Sequence, residues 1–198
     1  MAGVGVVNLA VVGPFGVGKT SLILSLLSQQ RDVSSFEPTK EWLSHVYNGN
    51  TNITLWDSPG YVELRDVTER LSDDFYDGII LVVRHRMRRD ELKLLTTILR
   101  NKSKRLIVAR IRSRPQKHKD SDAVLAATYE EFEDLRNDLF LVDLENLDLY
   151  GFHDLVEHLN NPDNFRPRTS RRHMGRSTYS TSRLVLQAFH VINISTHN

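Results

Sequence analysis

Hydrophobic and polar positions follow two alternating patterns between Val4 and about Asn160. Short, nearly continuous apolar runs are typical of strands buried on both faces of a parallel sheet, and they occur at Val4–Val12, Gly78–Arg84, Lys104–Arg110 and Asp138–Asp143. Between them, apolar residues at helical spacing predict helices at Ser21–Gln29, Arg89–Arg100, Ala123–Arg136 and Phe152–Leu159. Alternating strands and helices predict a doubly wound α/β fold with right-handed crossovers.

One pair of strands departs from this parallel pattern. Glu41–Tyr47 and Asn52–Asp57 both have strand character, and Asn48-Gly49-Asn50 between them is a strong hairpin signal. We therefore predict a six-stranded, mostly parallel sheet with one antiparallel edge strand and flanking helices. This arrangement resembles the Ras-like P-loop NTPase fold.

The last part of the chain has a different composition. Residues 163–198 contain six arginines among many Ser and Thr, against one acidic residue, which gives this end a charge of about +5 and leaves about −4 for residues 1–162. We predict one globular domain over 1–162 and a basic, largely disordered tail over 163–198. The alternative is a basic patch that binds anionic lipid or another acidic partner. Leu184–Ile194 has strand character, but nothing nearby indicates its partner.

The overall composition excludes several classes of protein. The chain has no cysteine, so it has neither disulfides nor thiolate metal sites. A net charge of +1 gives no general attraction to nucleic acid, and we expect no specific nucleic-acid binding. The sequence shows no signal peptide and no apolar run of membrane-spanning length. We therefore expect a cytoplasmic protein, with peripheral contact to intracellular membranes as the alternative.

A complete phosphate-binding motif follows the first strand. Gly13-Pro14-Phe15-Gly16-Val17-Gly18-Lys19-Thr20 satisfies G-x-x-x-x-G-K-[ST] between a predicted strand and a predicted helix. Glycines let backbone N–H groups approach phosphates, and a helix N-terminus attracts the same anion. The motif predicts a triphosphate site made of Gly13, Phe15, Gly16, Val17, Gly18, Lys19, Thr20 and Ser21.

A second motif predicts the metal that accompanies the phosphates. Asp57-Ser58-Pro59-Gly60 matches D-x-x-G and begins 38 positions after Lys19, although alone it would usually be a turn. Gly60 offers an N–H that can sense the γ-phosphate. Thr39, 20 positions after Lys19, is either a switch threonine that closes over the metal or an ordinary strand-entry residue. We predict Mg²⁺ as cofactor, held by Thr20, Thr39 and Asp57.

Three further stretches give the chain a family resemblance. Trp56-Asp57-Ser58-Pro59-Gly60 resembles the W-D-x-P-G of the immunity-related (interferon-inducible) GTPases. Asp74–Leu81 resembles that family's D-F-F-I-I strand, and Tyr150–Leu155 its Y-D-F-x-x-L segment. The similarity covers the nucleotide-binding domain only. It implies GTP or GDP as ligand, Mg²⁺, homodimerisation across the nucleotide face, and a role at intracellular membranes in host defence.

The base-recognition and catalytic positions depart from the GTPase pattern. Arg110-Ile111-Arg112-Ser113 stands where [NT]-K-x-D would read guanine, so Ser113 occupies the position of the Asp. Tyr61 follows Gly60, where Ras-like enzymes place a water-orienting Gln. Thr39 and Glu63 are the catalytic candidates. Arg65 is either an arginine finger or, with better support, a surface charge.

A basic cluster after the fourth strand is either a solvated loop or a contact for a partner or phosphate; it consists of Arg84, His85, Arg86, Arg88 and Arg89. Together the motifs favour a GTPase switch that binds GTP–Mg²⁺ and hydrolyses it slowly. The alternative is a pseudo-GTPase interaction module with degraded guanine recognition and little or no hydrolysis.

Overall fold

The computed structural model describes residues 5–28, 38–49, 52–84, 87, 89–102, 104–111, 126–127, 130, 138–148 and 150–165. Its sheet has six strands: β1 (Val7–Val12), β2 (Leu43–Val46), β3 (Ile53–Asp57), β4 (Gly78–Val83), β5 (Arg105–Ile111) and β6 (Leu139–Val142). Their spatial order is β2-β3-β1-β4-β5-β6, and every neighbouring pair is parallel except β2 with β3. The predicted fold class is thereby confirmed.

Helices lie on both faces of this sheet. They are α1 (Lys19–Leu26), α2 (Arg65–Leu71), α3 (Arg89–Lys102) and α4 (Phe152–Asn160), and a short 3₁₀ turn, Pro162–Phe165, follows α4. Successive strand residues point to opposite faces, so Leu9 and Val11 of β1 belong to one core cluster and Ala10 and Val12 to the other. Leucines of α1 and α4 fill the first cluster, and leucines of α2 and α3 fill the second.

Apart from α2, each described strand and α-helix lies within a few residues of its predicted bounds, but two predicted features lie outside what the structure describes. Of the helix predicted at Ala123–Arg136, only 126–127 and 130 are described. The tail is described only as far as Phe165, so the division into 1–162 and 163–198 stays a prediction. No bounds were predicted for α2, because its seven residues carry too short an apolar pattern.

Within the described residues, no helix is both long enough and apolar enough to cross a bilayer. The P-loop connects the carboxyl end of β1 to α1, and Asp57 ends β3, the strand next to β1. Because the carboxyl ends of parallel strands meet at one edge of the sheet, the fold brings the two predicted motifs to the same place.

Candidate nucleotide-binding site

The loop between β1 and α1 has a backbone that requires glycine. Gly16 and Gly18 have φ angles of 68° and 106°, in the region that side chains disfavour. A Cβ added to Gly13 would lie 2.4 Å from the carbonyl oxygen of Val82, which is backbone and cannot move aside. The loop therefore packs tightly against β4 while its other face stays open, and Pro14, Phe15 and Gly16 are exposed.

Lys19 lies inside this loop rather than reaching into solvent. Its side chain is 6% exposed, and Nζ donates hydrogen bonds of 3.2 Å to the carbonyl oxygens of Gly13 and Pro14. Burial lowers the pKa of Lys19 from its ordinary value, and the nearby carboxylate of Asp57 partly opposes that shift. The ammonium is thus fixed under the loop at the start of α1, where an anion is favoured.

Three oxygen-bearing side chains from three parts of the chain meet beside Lys19. The Oγ1 of Thr20 donates to Oδ2 of Asp57 at 2.7 Å, and the Oγ1 of Thr39 donates to the same oxygen at 3.2 Å. The two hydroxyl oxygens are 3.1 Å apart. Asp57 is 0% exposed. The structure therefore brings together all three predicted metal ligands.

These residues fit a magnesium ion. Carboxylate and hydroxyl oxygens are the hard ligands that Mg²⁺ prefers. Among the described residues, Oδ1 of Asp57 is buried and has no hydrogen-bond partner. An unpaired buried carboxylate oxygen is costly, and a cation nearby would supply the missing interaction.

The D-x-x-G segment is held against the phosphate loop by backbone hydrogen bonds. The N–H of Phe15 donates to the oxygen of Tyr61 at 3.3 Å, and the N–H of Tyr61 donates to the oxygen of Gly13 at 3.4 Å. A Cβ on Gly60 would lie 2.6 Å from the ring of Phe15 and 2.7 Å from its Cα. Phe15 and Gly60 are therefore in direct contact, and only glycine fits at position 60.

Two predicted nucleotide residues and both catalytic candidates also have defined positions. Val17 and Ser21 are 5% exposed and lie within the loop and α1, so they support its shape more than they offer a contact surface. Thr39 joins the metal ligands. Glu63 instead forms an ion pair of 2.5 Å with Arg65, whose side chain is 75% exposed, which agrees with Arg65 being a surface charge.

Two apolar side chains border the loop at Gly18. A Cβ on Gly18 would lie 3.2 Å from Leu144 and 3.8 Å from Ile111, so both residues border the loop there. Asp143 uses Oδ1 to accept the N–H groups of Glu145 and Asn146 at 2.9 and 3.1 Å. That carboxylate oxygen thus shapes its own turn.

Some predicted residues lie outside the described part of the chain. Ser113, assigned to the base, is one of them, and so are His85, Arg86 and Arg88 of the basic cluster. Arg84 is half-buried, and its Nε has no hydrogen-bond partner among the described residues.

Two contacts of the site were not predicted from the sequence. The contact of Phe15 with Gly60 depends on the path of the segment after β3, which no motif encodes. The position of Leu144 beside Gly18 could be expected only in part, since it follows the carboxyl end of a strand.

Comparisons with known proteins agree with the fold. The model of a family described as 50S ribosome-binding GTPase matches residues 8–111, just over half of the chain. No curated protein matches the sequence. The similar crystal structures described below have 16–19% sequence identity to the chain, so they show the fold and not the function.

Two of these structures are of the GTPase Era. A variant from Aquifex aeolicus, bound to GDP·AlF4⁻, has a TM-score of 0.60 and 16% identity, over 87% of this chain and 59% of Era. Era with MgGDPNP and part of 16S ribosomal RNA has a TM-score of 0.61 and 17% identity, over 90% and 60%. This chain thus spans about three fifths of the length of Era.

A third structure is the elongation factor SelB from Methanococcus maripaludis, with a GTP analogue. Its TM-score is 0.55 at 19% identity, over 89% of this chain and 36% of SelB. The comparisons do not support the narrower resemblance to immunity-related GTPases. From the family match and the P-loop geometry, the chain belongs to the family described as 50S ribosome-binding GTPases and is a GTP-binding P-loop GTPase domain.

Proposed function

We propose that this domain is a nucleotide switch that binds GTP with Mg²⁺ and hydrolyses it slowly until a partner completes the site. One observation carries the proposal: the side-chain oxygens of Thr20, Thr39 and Asp57 converge within 3.2 Å of one another. A domain that bound no phosphate would have no physical reason to place a hydroxyl, a second hydroxyl and a buried carboxylate beside a buried lysine.

Each residue of this group has a role that follows from its position. Lys19 supplies a fixed positive charge for the phosphates, and the amides of the loop and of the first turn of α1 provide hydrogen bonds. Thr20 and Asp57 would hold the metal from the phosphate loop and β3. Thr39 belongs to a different segment, so its participation would tie the position of that segment to the ligand. Bound Mg²⁺ neutralises charge on the phosphate oxygens.

Two residues after Gly60, Tyr61 and Glu63, support the proposal of slow hydrolysis. Tyr61 is 3% exposed, and burial raises the pKa of its hydroxyl, so that group is held neutral and away from solvent. Glu63 is paired with Arg65. A buried neutral hydroxyl and a carboxylate in an ion pair are both poorly suited to orient an attacking water. We propose that a partner supplies that function, with a second copy across the nucleotide face as the first candidate.

One observation favours the alternative, a pseudo-GTPase interaction module. Apolar side chains of Ile111 and Leu144 border the loop at Gly18, and Ile111 and Ser113 replace the Lys and Asp of the guanine motif. Losing a paired hydrogen bond to a base commonly lowers discrimination by orders of magnitude. In this alternative the chain would bind nucleotide loosely and act through its partners.

Cellular location and further partners are proposed from composition alone. A cytoplasmic protein, with the arginine-rich tail in contact with an anionic membrane or another acidic partner, is consistent with the charge of the two parts of the chain. A role in host defence rests only on the motif resemblance and is not part of the proposed mechanism.

Titration calorimetry with GTP, GDP and ATP, each with Mg²⁺, tests the proposal. We expect GTP and GDP to bind with a Kd of about 1 μM or tighter and ATP to bind much more weakly. Lys19→Ala should abolish binding, while the exposed control Lys40→Ala should retain it. Weak binding of all three nucleotides, or no preference for guanine, would overturn the switch and leave the interaction module.

A further inference from the structure

The outer edge of the sheet is formed by β2. Tyr47 donates its N–H to the oxygen of Ile53 at 2.9 Å, so the backbone N–H and C=O groups of Tyr47 point towards β3. Hydrogen-bonding direction alternates along a strand, which turns the N–H and C=O groups of Ser44 and Val46 away from β3. Among the described elements, none lies beyond β2. Two residues of this strand thus offer a pairing edge.

Both faces of this edge expose an apolar side chain. Leu43 is 50% exposed and lies on the face that bears α1 and α4, because it pairs with Asp57 and lies four positions before buried Tyr47 in the strand direction. Val46 is 57% exposed and shares the opposite face with Trp56. The other edge strand, β6, is buried at every position. Natural proteins protect the exposed edges of their sheets. Here the described residues cover the β6 edge but leave the β2 edge open.

An aromatic groove continues the Val46 face. It has a volume of about 570 Å³ and is lined by Trp56, Arg70, Asp73, Phe75 and Tyr76. The rings of Trp56 and Phe75 meet edge to face at 5.1 Å, and Phe75 is 46% exposed. Three aspartates, Asp73, Asp74 and Asp77, flank Phe75 and Tyr76 in the sequence. The surface beside β2 is therefore apolar, with an acidic rim formed by the exposed residues Asp73, Asp74 and Asp77 and with Arg70 also in the groove.

One segment of this chain has matching chemistry. Leu184–Ile194, outside the described residues, has eleven residues without a charged Lys, Arg, Asp or Glu. In an extended strand, both faces of this segment would carry mostly apolar side chains. One face would have Leu184, Leu186, Ala188, Ile192 and Ile194, and the other would have Val185, Phe189 and Val191. A strand that is apolar on both faces suits an edge that exposes Leu43 on one face and Val46 on the other.

The connection to this segment is long enough and carries the complementary charge. The end of α4 lies at the β2–β3 hairpin, since a Cβ on Gly49 would be 2.7 Å from Oδ1 of Asn160. Residues 166–183 separate the described fold from Leu184 and span up to about 60 Å when extended. They hold six arginines and no acidic residue, which favours the acidic rim.

We propose that Leu184–Ile194 adds to the edge of β2 as a further strand of the same chain and covers Leu43, Val46 and the aromatic groove. Main-chain hydrogen bonds would come from Ser44 and Val46, and side-chain packing would select this segment. The arginines before it would lie along the acidic rim. This proposal does not depend on nucleotide hydrolysis.

Paired cysteines test the proposal in the full chain, which has no cysteine of its own. Ser44→Cys is combined in turn with Gln187→Cys, Ala188→Cys and Phe189→Cys, and mild oxidation is followed by mass spectrometry. We expect a disulfide within one chain for at least one pair, because cross-strand neighbours meet the geometry of the bond. The control Asn146→Cys, an exposed residue after β6, should form none with the same partners.

Three outcomes of this test would overturn the proposal. Failure of every Ser44 pair to close, or closure equal to that of the Asn146 control, would exclude this docking. Disulfides that form only between two chains would assign the edge to a second copy.

A second measurement uses substitutions in the tail, which leave the described core intact. Phe189→Asp should release the segment, so amide hydrogen exchange at Ser44 and Val46 should become about tenfold faster. Both tryptophans of the chain, Trp42 and Trp56, lie near this surface, and their emission should shift to longer wavelength. Ser182→Asp adds the same charge outside the segment and should change neither. Equal behaviour of the two variants would also overturn the proposal.

Discussion

The hydroxyl of Thr20 donates a hydrogen bond of 2.7 Å to Oδ2 of Asp57, although 37 residues separate the two in the sequence. Thr20 lies in the first turn of α1 and Asp57 ends β3, and the parallel pairing of β1 with β3 brings them together. The second oxygen of Asp57 is buried without a hydrogen-bond partner among the described residues. The site is thus preformed on rigid elements and would need little rearrangement to accept a cation.

Asp57→Asn should weaken metal-dependent binding specifically. The amide has about the same volume as the carboxylate but lacks its charge, so it is a poorer ligand for Mg²⁺. We expect GTP affinity with Mg²⁺ to fall about tenfold or more and affinity in excess chelator to change little. Asp148→Asn, at an exposed carboxylate, is the matched control. Equal losses with and without Mg²⁺ would contradict a metal-binding role.

The buried ammonium of Lys19 should make the stability of the nucleotide-free protein depend on pH. Burial lowers the pKa of Lys19 below its ordinary value of 10.5, so the unfolded chain binds more protons than the folded one between the two values. Stability therefore rises with pH through that interval. We expect the free energy of unfolding by urea, compared between the wild type and Lys19→Met, to show this rise only in the wild type.

Taking the difference between the two proteins removes the contribution of the tyrosines, which is common to both and acts in the opposite direction above about pH 9. Burial raises the pKa of Tyr61 and of Tyr47 above 10.0, so their contribution to stability is lost as pH rises past the unfolded value. A wild type and variant with parallel pH profiles would show that Lys19 titrates normally.

Gly60→Ala should separate binding of GTP from binding of GDP. The added methyl group would meet both the ring and the Cα of Phe15, and displacement of Gly60 would remove its N–H from the predicted γ-phosphate position. We expect GTP affinity to fall about tenfold, with a smaller effect on GDP. Gly5→Ala is the control, since its Cβ would have no neighbour within 4 Å. Equal losses for the two nucleotides would argue against γ-phosphate sensing.

Neither Tyr61→Phe nor Glu63→Gln should change single-turnover hydrolysis by more than about threefold, less than the typical contribution of a general base. The first removes a hydroxyl that is buried, and the second removes a carboxylate that is paired with exposed Arg65. Single-turnover rates for each variant, measured at saturating Mg²⁺ and corrected for the fraction that binds GTP, check this. A large loss in Glu63→Gln would make it the catalytic group of the switch.

The sequence predicted those parts of the site that short motifs encode. G-x-x-x-x-G-K-[ST] fixes Lys19 and Thr20 relative to β1, and the end of a buried strand fixes Asp57, so their convergence followed from sheet topology. Thr39 required only the correct distance along the chain. Motif spacing was sufficient for Lys19, Thr20 and Asp57 because a helix and a strand carry them, whereas Thr39 lies in the loop before β2.

Contacts between loops could not be predicted in the same way. The approach of Phe15 to Gly60 and of Leu144 to Gly18 depends on backbone paths that no local pattern determines. The α2 helix is also hard to predict, because it has only seven residues and owes its position to packing of Leu64, Val67 and Leu71 against the sheet. Tertiary packing decides such elements, and their sequence signal is weak.

The hydrogen bond from the N–H of Phe15 to the oxygen of Tyr61 uses a donor that belongs to the phosphate loop itself. A phosphate oxygen drawn to that amide would compete with Tyr61 for a single proton. Ligand entry and retention of this hydrogen bond are therefore alternatives at one atom. Nucleotide binding would then include an exchange of acceptors inside the loop itself.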